Sequence, residues 1–417
     1  VKLTSMTTVE ASQNKGQQKG IVIILLIVVF GLLTWGMYEM LTGPARYNNR
    51  DFMSLYAGGK AILRGMDPYD PAVWSPLRAE LGSTWMPDDR TPFPLWTLLL
   101  VLPFAALDLG WGAAAWLAFS LCVLGGGLFL LINAYYPKPL PVAEFGLVAL
   151  FTFTYRAVLV SMNNGQITFL LFFVLALFLW LVRQERPFLA GIALSFIIIK
   201  PNAFVLFVPA FGLWLLWQRR WQIIAGAATG GLAMLLISWL VLPGWLSEWL
   251  NVTGKTEVTA ITPTVWGLAY EILPEWWAAL GLVFVMGVTA VIGLIIFRNT
   301  SLAETEVMPL TLIGSLLVTP YAWVYEHLLL LIPATLVFLI TRKRGAAALA
   351  WLLLAFIMPW GTLWLADSRK SDTFTATVPL ITGILFYFFV VAKTRSRASS
   401  TITTANSAII PDESSTD

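Results

Sequence analysis

The acidic residue Asp51 is the first candidate for chemistry, because it lies in the largest polar stretch of a mainly apolar chain. This stretch separates an apolar run at residues 21–41 from another that begins at Trp111. A carboxylate in such a loop can accept a proton from a hydroxyl group as a general base. The apolar spacing after it predicts an amphipathic helix on the membrane surface over residues 52–64, and Asp51 could equally cap that helix.

Three basic residues could hold an anionic substrate. Arg64 ends the predicted surface helix, whereas Arg156 and Lys200 lie within apolar segments. A charge at mid-membrane costs about 2.5 to 3.5 kcal/mol on insertion scales, so each needs a reason to be there. Snorkelling to the interface would explain Arg156 as well as a substrate contact would. Because Lys200 precedes Pro201 at a break between two short apolar segments, we predict an anion site there.

The remaining candidates are polar residues near predicted helix ends. His327, the only histidine of the chain, could transfer protons or could simply hydrogen-bond at a membrane boundary, with Glu326 as its partner. Gln166 follows two asparagines and a glycine, and its amide suits sugar hydroxyls and helix caps equally. Tyr69 lies in residues 67–71, where two Asp-Pro pairs predict a tight turn.

Apolar helices are the elements that must position these residues. The chain is 58% hydrophobic and 12% charged, with a mean hydropathy of +0.77, and it contains repeated apolar runs near the length that spans a bilayer. The sequence therefore predicts an all-α, polytopic integral membrane protein. Tryptophans near predicted span ends, among them Trp217, Trp221 and Trp245, suit an interfacial belt. The single cysteine, Cys122, cannot form a disulfide within the chain and is expected to pack inside a span.

Short loops rich in Lys and Arg indicate the topology. Under the positive-inside rule these loops are cytoplasmic; they comprise residues 183–186, 219–220, 298, 342–344 and 393–397. The outer side then holds the segments around Gln166 and Lys200 and residues 243–275, 319–327 and 359–377. The net charge of +3 follows from these loops, and no nucleic-acid partner is predicted. Both termini are expected in the cytoplasm, with an uncleaved signal-anchor as the first span.

About twelve spans result from this topology. They cover residues 20–41, 111–134, 142–160, 166–182, 187–199, 202–217, 221–243, 276–297, 307–319, 327–341, 345–366 and 377–392. Residues 93–107 hold prolines in a short apolar run, which is typical of a re-entrant or interfacial piece. The predicted organisation is a cytoplasmic segment 1–19, a transmembrane catalytic domain 20–392 with an outer loop 42–110, and a disordered cytoplasmic tail 393–417.

Several short motifs, taken in order, resemble glycosyltransferase family 87, the polyprenol-phosphate-mannose-dependent mannosyltransferases of the GT-C superfamily. They are Asp51 with residues 64–70, then residues 91–95, 165–166, 199–201 and 319–323. The resemblance implies a GT-C membrane fold, Asp51 as the catalytic carboxylate, and a donor site lined by Gln166 and Lys200. In the family a histidine often follows the tryptophan by two or three positions, whereas His327 arrives one position later.

The resemblance and the residues together predict the site and the reaction. We assign Asp51 and His327 to catalysis, and substrate binding to Arg64, Tyr69, Arg156, Gln166, Lys200 and Glu326. The expected enzyme moves a hexose, mannose by the resemblance, from a polyprenyl-phosphate donor to a lipid or glycan acceptor at the outer face of the cell membrane, with inversion. A single base suffices because the departing phosphate is a stable anion and needs no proton. Glycoside hydrolysis, in contrast, uses two carboxyl groups.

Other functions remain open at this stage. The sequence has no nucleotide-binding motif and nothing that resembles a dedicated metal site, so no cofactor is predicted. A transporter or flippase of a lipid-linked saccharide would use Arg156 and Lys200 as intramembrane substrate contacts. A non-catalytic assembly subunit would need Asp51 only as a helix cap.

Overall fold

The computed structural model describes residues 30–32, 34–38, 50–83, 91–136, 138–253, 262–342, 353–369 and 371–392. The predicted segment 1–19, much of the first predicted span and the predicted tail 393–417 lie outside these residues. All regular elements within the described ranges are helical, which confirms the all-α prediction.

Seventeen α-helices account for most of the described chain. In chain order they are α1 Asp51–Leu63, α2 Pro71–Glu80, α3 Leu95–Ala105, α4 Leu109–Tyr135, α5 Val142–Thr154, α6 Arg156–Asn164, α7 Thr168–Arg183, α8 Pro187–Ser195, α9 Phe207–Trp217, α10 Trp221–Val241, α11 Trp245–Thr253, α12 Val265–Ile272, α13 Trp277–Arg298, α14 Glu304–Val318, α15 Leu331–Thr341, α16 Met358–Arg369 and α17 Thr377–Phe386. Short 3₁₀ turns extend or join some of them, notably Phe196–Ile199, Pro201–Phe204, Val324–Leu330 and Thr373–Ala376.

The chain divides into two compact units. The first comprises Val1–Thr91 and Leu98–Val123, and the second comprises Pro92–Thr97 and Leu124–Asp417. The predicted single catalytic domain over residues 20–392 stays a prediction. The two units are described separately below.

Within the first unit, α1 is a buried helix and not the predicted surface helix. Most of its residues, including Phe52 and Tyr56, are buried. Its two glycines explain the difference: a Cβ on Gly58 would lie 2.6 Å from a methyl group of Leu98, and one on Gly59 would lie 2.8 Å from the Ala105 Cβ. The apolar spacing identified the helix correctly. The glycines form a second contact face that a count of large apolar residues misses.

The start of α1 also differs from its prediction. Arg50 is the N-cap and Asp51 is the first helical residue, half-buried in the first turn. A carboxylate at this place still interacts favourably with the helix dipole. Asp51 therefore stabilises the helix end through its charge from within the first turn.

The hydropathy and length of the helices establish a multi-pass membrane protein. Five helical stretches of the described chain are long and apolar enough to cross a bilayer: Leu109–Tyr135, Trp221–Val241, Pro274–Arg298, Val324–Thr341 and Thr373–Val391. The pair α5 and α6, bent by 50° at Tyr155, makes a sixth if it is one span. Shorter apolar helices occupy other predicted spans, and α3 covers most of the predicted re-entrant piece. The count of twelve stays a prediction.

Small residues let the membrane helices of the second unit approach closely. A Cβ on Gly191 of α8 would collide with the Ile223 carbonyl oxygen of α10, and one on Gly226 would collide with that of Phe188. Such contacts are typical of helix packing in lipid, where van der Waals contact replaces the hydrophobic effect. Most of Val324–Thr341 is buried, whereas Trp221–Val241 and Pro274–Arg298 are mainly exposed. In the first unit, the side chain of Cys122 is exposed and not packed as expected.

Candidate active site

Lys200 occupies a break between two 3₁₀ turns that the sequence itself imposes. Pro201 has no backbone N–H to continue the turn, and it restricts the preceding residue to extended backbone. Lys200 accordingly adopts φ −146° and ψ 75°. Its side chain is almost fully buried, at 8% exposure. A charged group in this position must be compensated by the residues around it.

Three residues surround the Lys200 ammonium group. Its Nζ lies 2.5 Å from Oε1 of Glu326 and donates a hydrogen bond of 3.0 Å to Oε1 of Gln166. It also lies 4.3 Å from the ring centroid of Tyr325, within the range of a cation–π contact. We call Gln166, Lys200, Tyr325 and Glu326 the lysine cluster. The Lys200 charge is therefore neutralised within the protein before any ligand binds.

Side chains from a distant segment hold the backbone at this break. The indole N–H of Trp96 donates to the Ile198 carbonyl at 2.9 Å, and the Thr97 hydroxyl donates to the Ile199 carbonyl at 2.7 Å. These carbonyls end the 3₁₀ turn that precedes Lys200. The segment from Pro92 to Thr97 thus fixes the position of the lysine.

A tryptophan cluster supports the same segment. The ring of Trp96 meets that of Trp245 edge-on, with centroids 4.8 Å apart, and Trp249 contacts both. The indole N–H of Trp249 donates to the Pro92 carbonyl at 3.0 Å. Trp245 is only 1% exposed and packs inside the second unit, and its place in an interfacial belt stays a prediction.

The loop before the 3₁₀ turn Val324–Leu330 positions Glu326. Thr319 donates to the Asn202 carbonyl at 2.6 Å, and the Asn202 amide donates to the Tyr321 carbonyl at 2.9 Å, so this loop is tied to the turn after Lys200. Oε2 of Glu326 accepts the Trp323 backbone N–H at 2.7 Å. One carboxylate oxygen therefore caps the turn while the other faces Lys200.

The suggested pairing of His327 with Glu326 is wrong, since Glu326 is paired with Lys200. His327 is 1% exposed, and neither ring nitrogen has a partner of good hydrogen-bond geometry among the described residues. The imidazole experiences the positive charge of Arg156 and a polar interaction with the backbone of Pro263. His327 is therefore an inward-facing neighbour of the lysine cluster.

Arg156 has a protein partner of its own. Nη2 donates to Oδ1 of Asp372 at 3.0 Å, and Nη1 donates to the Thr375 hydroxyl at 3.2 Å. The arginine is 5% exposed and begins α6 immediately after the bend at Tyr155. Burial and pairing argue against simple snorkelling of Arg156.

The second unit brings together the segments that the topology predicts on one side of the membrane. Gln166 and Glu326 both contact Lys200, and Arg156 pairs with Asp372. Residues 262–267 contact the same region, because the indole N–H of Trp266 donates at 2.9 Å to the carbonyl of Val318, the last residue of α14. This grouping is expected if the segments share one side of the membrane, as the positive-inside rule predicts. Which side of the membrane it faces stays a prediction.

The remaining predicted site residues belong to the first unit. Arg64 donates to both carboxylate oxygens of Glu80, at 2.9 and 2.8 Å. Tyr69 is 1% exposed, its backbone N–H donates to Oδ1 of Asp67 at 2.8 Å, and burial raises the pKa of its phenol well above the ordinary value. The predicted tight turn is thus confirmed. A shared cavity for Asp51 and the lysine cluster stays a prediction.

Sequence reasoning missed four residues that shape this site. Trp96, Thr97, Tyr325 and Asp372 act through contacts with partners that are often more than a hundred positions away along the chain. A signal existed for Asp372, because residues 359–377 are predicted on the same side as the outer end of the Arg156 segment. No group of three or more potential metal ligands occurs among the described residues.

Comparison with known proteins completes the assignment. A model of glycosyltransferase family 87 matches residues 92–320, more than half of the chain. No curated protein and no solved structure matches. The matched region includes Arg156, Gln166 and Lys200, whereas Asp51 and Glu326 lie outside it. Because the match covers the helical break and most of the apolar helices that hold it, this membrane protein belongs to glycosyltransferase family 87 and is a transferase.

Proposed function

We propose that this glycosyltransferase moves a hexose, mannose by its resemblance, from a polyprenyl-phosphate donor to a hydroxyl group of a lipid or glycan acceptor. The observation that carries the proposal is the buried Lys200 at a helical break, inside the region that matches the family. A cation held at a helical break inside a membrane protein suits the phosphate of a lipid-linked sugar. The GT-C classification of the fold is part of this proposal.

The reaction is a single displacement at the anomeric carbon. Asp51 accepts the proton of the acceptor hydroxyl while its oxygen bonds to the anomeric carbon. The bond between that carbon and the phosphate oxygen breaks, and its electron pair leaves with the polyprenyl phosphate. Attack from the face opposite the leaving group inverts the configuration.

The lysine cluster stabilises the leaving phosphate in this scheme. Negative charge grows on the phosphate oxygen as the bond breaks, and a preorganised cation at that place lowers the barrier. Glu326 holds Lys200 in position before the donor arrives, and then shares the ammonium group with the phosphate. Gln166 fixes the ammonium from another direction. This arrangement avoids any rearrangement of the lysine during the reaction.

The other predicted residues have supporting roles in the proposal. Arg156 and His327 are proposed to contact the sugar or its phosphate. Arg64 and Tyr69 are proposed to bind the acceptor in the first outer loop. The site is proposed to face the outer side of the cell membrane, with both termini in the cytoplasm.

The test replaces Asp51 by asparagine in the full chain reconstituted into vesicles. Asparagine keeps the size of the side chain, and loss of a general base is expected to lower the transfer rate by about 10² to 10⁴-fold. Asp70→Asn is the matched control, because Asp70 caps α2 through its Oδ1 and asparagine caps equally well. Transfer of radiolabelled mannose from polyprenyl phosphate is the readout.

Either of two results would reject the assignment. Wild-type turnover by Asp51→Asn would exclude Asp51 as the base. Translocation of the labelled donor across the vesicle membrane by the wild type, without formation of any glycosylated product, would favour the transporter over the transferase.

A further inference from the structure

A cavity with charged residues in its lining lies in the second unit, away from the lysine cluster. Its volume is about 720 Å³, and its lining includes Glu185, Arg219, Arg220, Trp221 and Glu304. These residues come from two of the loops that the positive-inside rule places in the cytoplasm and from the first residue of α14. The cavity is large enough for the headgroup of a lipid.

Four charged side chains line the cavity, and two of them, one cation and one anion, are not paired with each other or with another described residue. Nε of Arg220 lies 2.7 Å from Oε1 of Glu304, so these two side chains neutralise each other. The side chains of Arg219 and Glu185 have no hydrogen bond or ion pair with any residue that the structure describes. A ligand that matches them carries a negative and a positive group.

The two side chains are presented by the same kind of helix-ending turn. Glu185 has φ 57° and Arg219 has φ 56°, and within the described ranges they are the only residues other than glycine with positive φ. Each residue ends a helix in this conformation: the Arg219 N–H donates to the Leu216 carbonyl and the Arg220 N–H to the Leu215 carbonyl, and Glu185 and Arg186 repeat the pattern at the end of α7. Both tight turns direct a charged residue to the same cavity.

The position of the cavity among the helices favours a lipid over a soluble ligand. Four apolar helices begin or end beside it: α7 ends at Arg183, α8 begins at Pro187, α9 ends at Trp217 and α10 begins at Trp221. Trp217 and Trp221 are 49% and 59% exposed, as tryptophans at the level of lipid headgroups are. The exposed apolar face of α10 continues from this point and can contact acyl chains.

We propose that this cavity binds the headgroup of an amine-bearing phospholipid of the phosphatidylethanolamine type. The phosphate is held by the guanidinium group of Arg219, which lies beside the positive N-terminal end of the α10 helix dipole. The ammonium group is held by Glu185. The Arg220–Glu304 pair forms the neutral wall between them.

Native mass spectrometry of the full chain in detergent tests the proposal. The wild type is presented with equal amounts of phosphatidylethanolamine, phosphatidylglycerol and phosphatidylcholine and is expected to retain the first in preference. Arg219→Gln should lower retention of phosphatidylethanolamine by about tenfold or more, since a hydrogen bond to a charged group is lost. Glu185→Gln should abolish the preference over phosphatidylglycerol, which lacks the amine.

Arg298→Gln is the matched control, because this arginine lies in another predicted cytoplasmic loop and does not line the cavity. It should leave retention unchanged. Equal retention of the three lipids by the wild type, or preference for phosphatidylglycerol, would overturn the proposal without any variant. Complete displacement of the lipid by millimolar inorganic phosphate would assign the cavity to a free anion instead.

Discussion

Two ion pairs join the same kinds of charged group in opposite surroundings. The side chains of Lys200 and Glu326 are 9% and 0% exposed, whereas those of Arg64 and Glu80 are 34% and 59% exposed. The exposed pair has the better geometry, with two parallel hydrogen bonds, and the buried pair has a single close contact. Hydrogen-bond geometry alone would wrongly predict that the exposed pair matters more to the protein than the buried pair.

The difference shows how burial decides what an ion pair does. Water screens the exposed pair, and it can lose one partner at little cost. The buried pair has given up its hydration, so each charge depends on the other and on Gln166. A buried ion pair is weak evidence for added stability, and the proposed role of the lysine cluster is recognition of phosphate.

The largest expected effect comes from removing the buried cation. Lys200→Met leaves the Glu326 carboxylate buried without its charge partner, and this should lower the free energy of unfolding by about 3 to 5 kcal/mol. It should also lower transfer by about 10² to 10³-fold, the loss typical of one electrostatic group at the transition state. Thermal unfolding in detergent and the transfer assay measure the two effects.

A double variant separates stability from chemistry. Lys200→Met with Glu326→Gln removes both charges, and the glutamine oxygen can still accept the Trp323 N–H. We expect the stability to recover towards the wild type while transfer stays low. Recovery of transfer in the double variant would show that Lys200 has only a structural role.

An intermediate effect is expected from the hydrogen bonds that hold the break. Thr97→Val keeps the shape but leaves the buried Ile199 carbonyl without its hydroxyl donor, at a cost of about 1 to 3 kcal/mol. The misplaced lysine should raise the KM for the donor more than it lowers kcat. Thr311→Val is the matched control, because that buried hydroxyl bonds only within its own helix. Equal KM values for both variants would contradict the positioning role of Thr97.

The sequence predicts the helices well because one property, apolar length, determines them. The runs that became α4, α10 and α13 lie within a few residues of their predicted spans. The same reasoning found Lys200, since a cation beside proline in an apolar segment is conspicuous. It also predicted that the segments of Gln166 and Glu326 lie on the same side as Lys200, and both residues contact that lysine.

What the sequence could not predict depends on contacts between distant segments. The burial of α1 rests on Gly58 and Gly59, and glycines carry no signal in a count of large apolar residues. The pairing of Arg156 with Asp372 joins residues 216 positions apart, and no local pattern encodes it. The sequence suggested adjacent His327 as the partner of Glu326, and the packing of the helices pairs Glu326 with distant Lys200 instead.

The smallest effect is expected at the exposed pair, where it should depend on pH. The hydrogen bonds from Arg64 hold the pKa of the Glu80 carboxyl below its ordinary value. The pair therefore contributes its stability above the ordinary Glu pKa of about 4.3 and loses it as the pH falls through the lower folded value. Glu80→Gln should lower the Tm slightly at pH 7 and not at all at a pH below both values. High salt should shrink the difference at pH 7, because ions screen exposed charges. Thermal unfolding of both proteins across this range is the measurement. A Tm difference at pH 7 as large as that of Lys200→Met would mean that burial does not distinguish the two pairs.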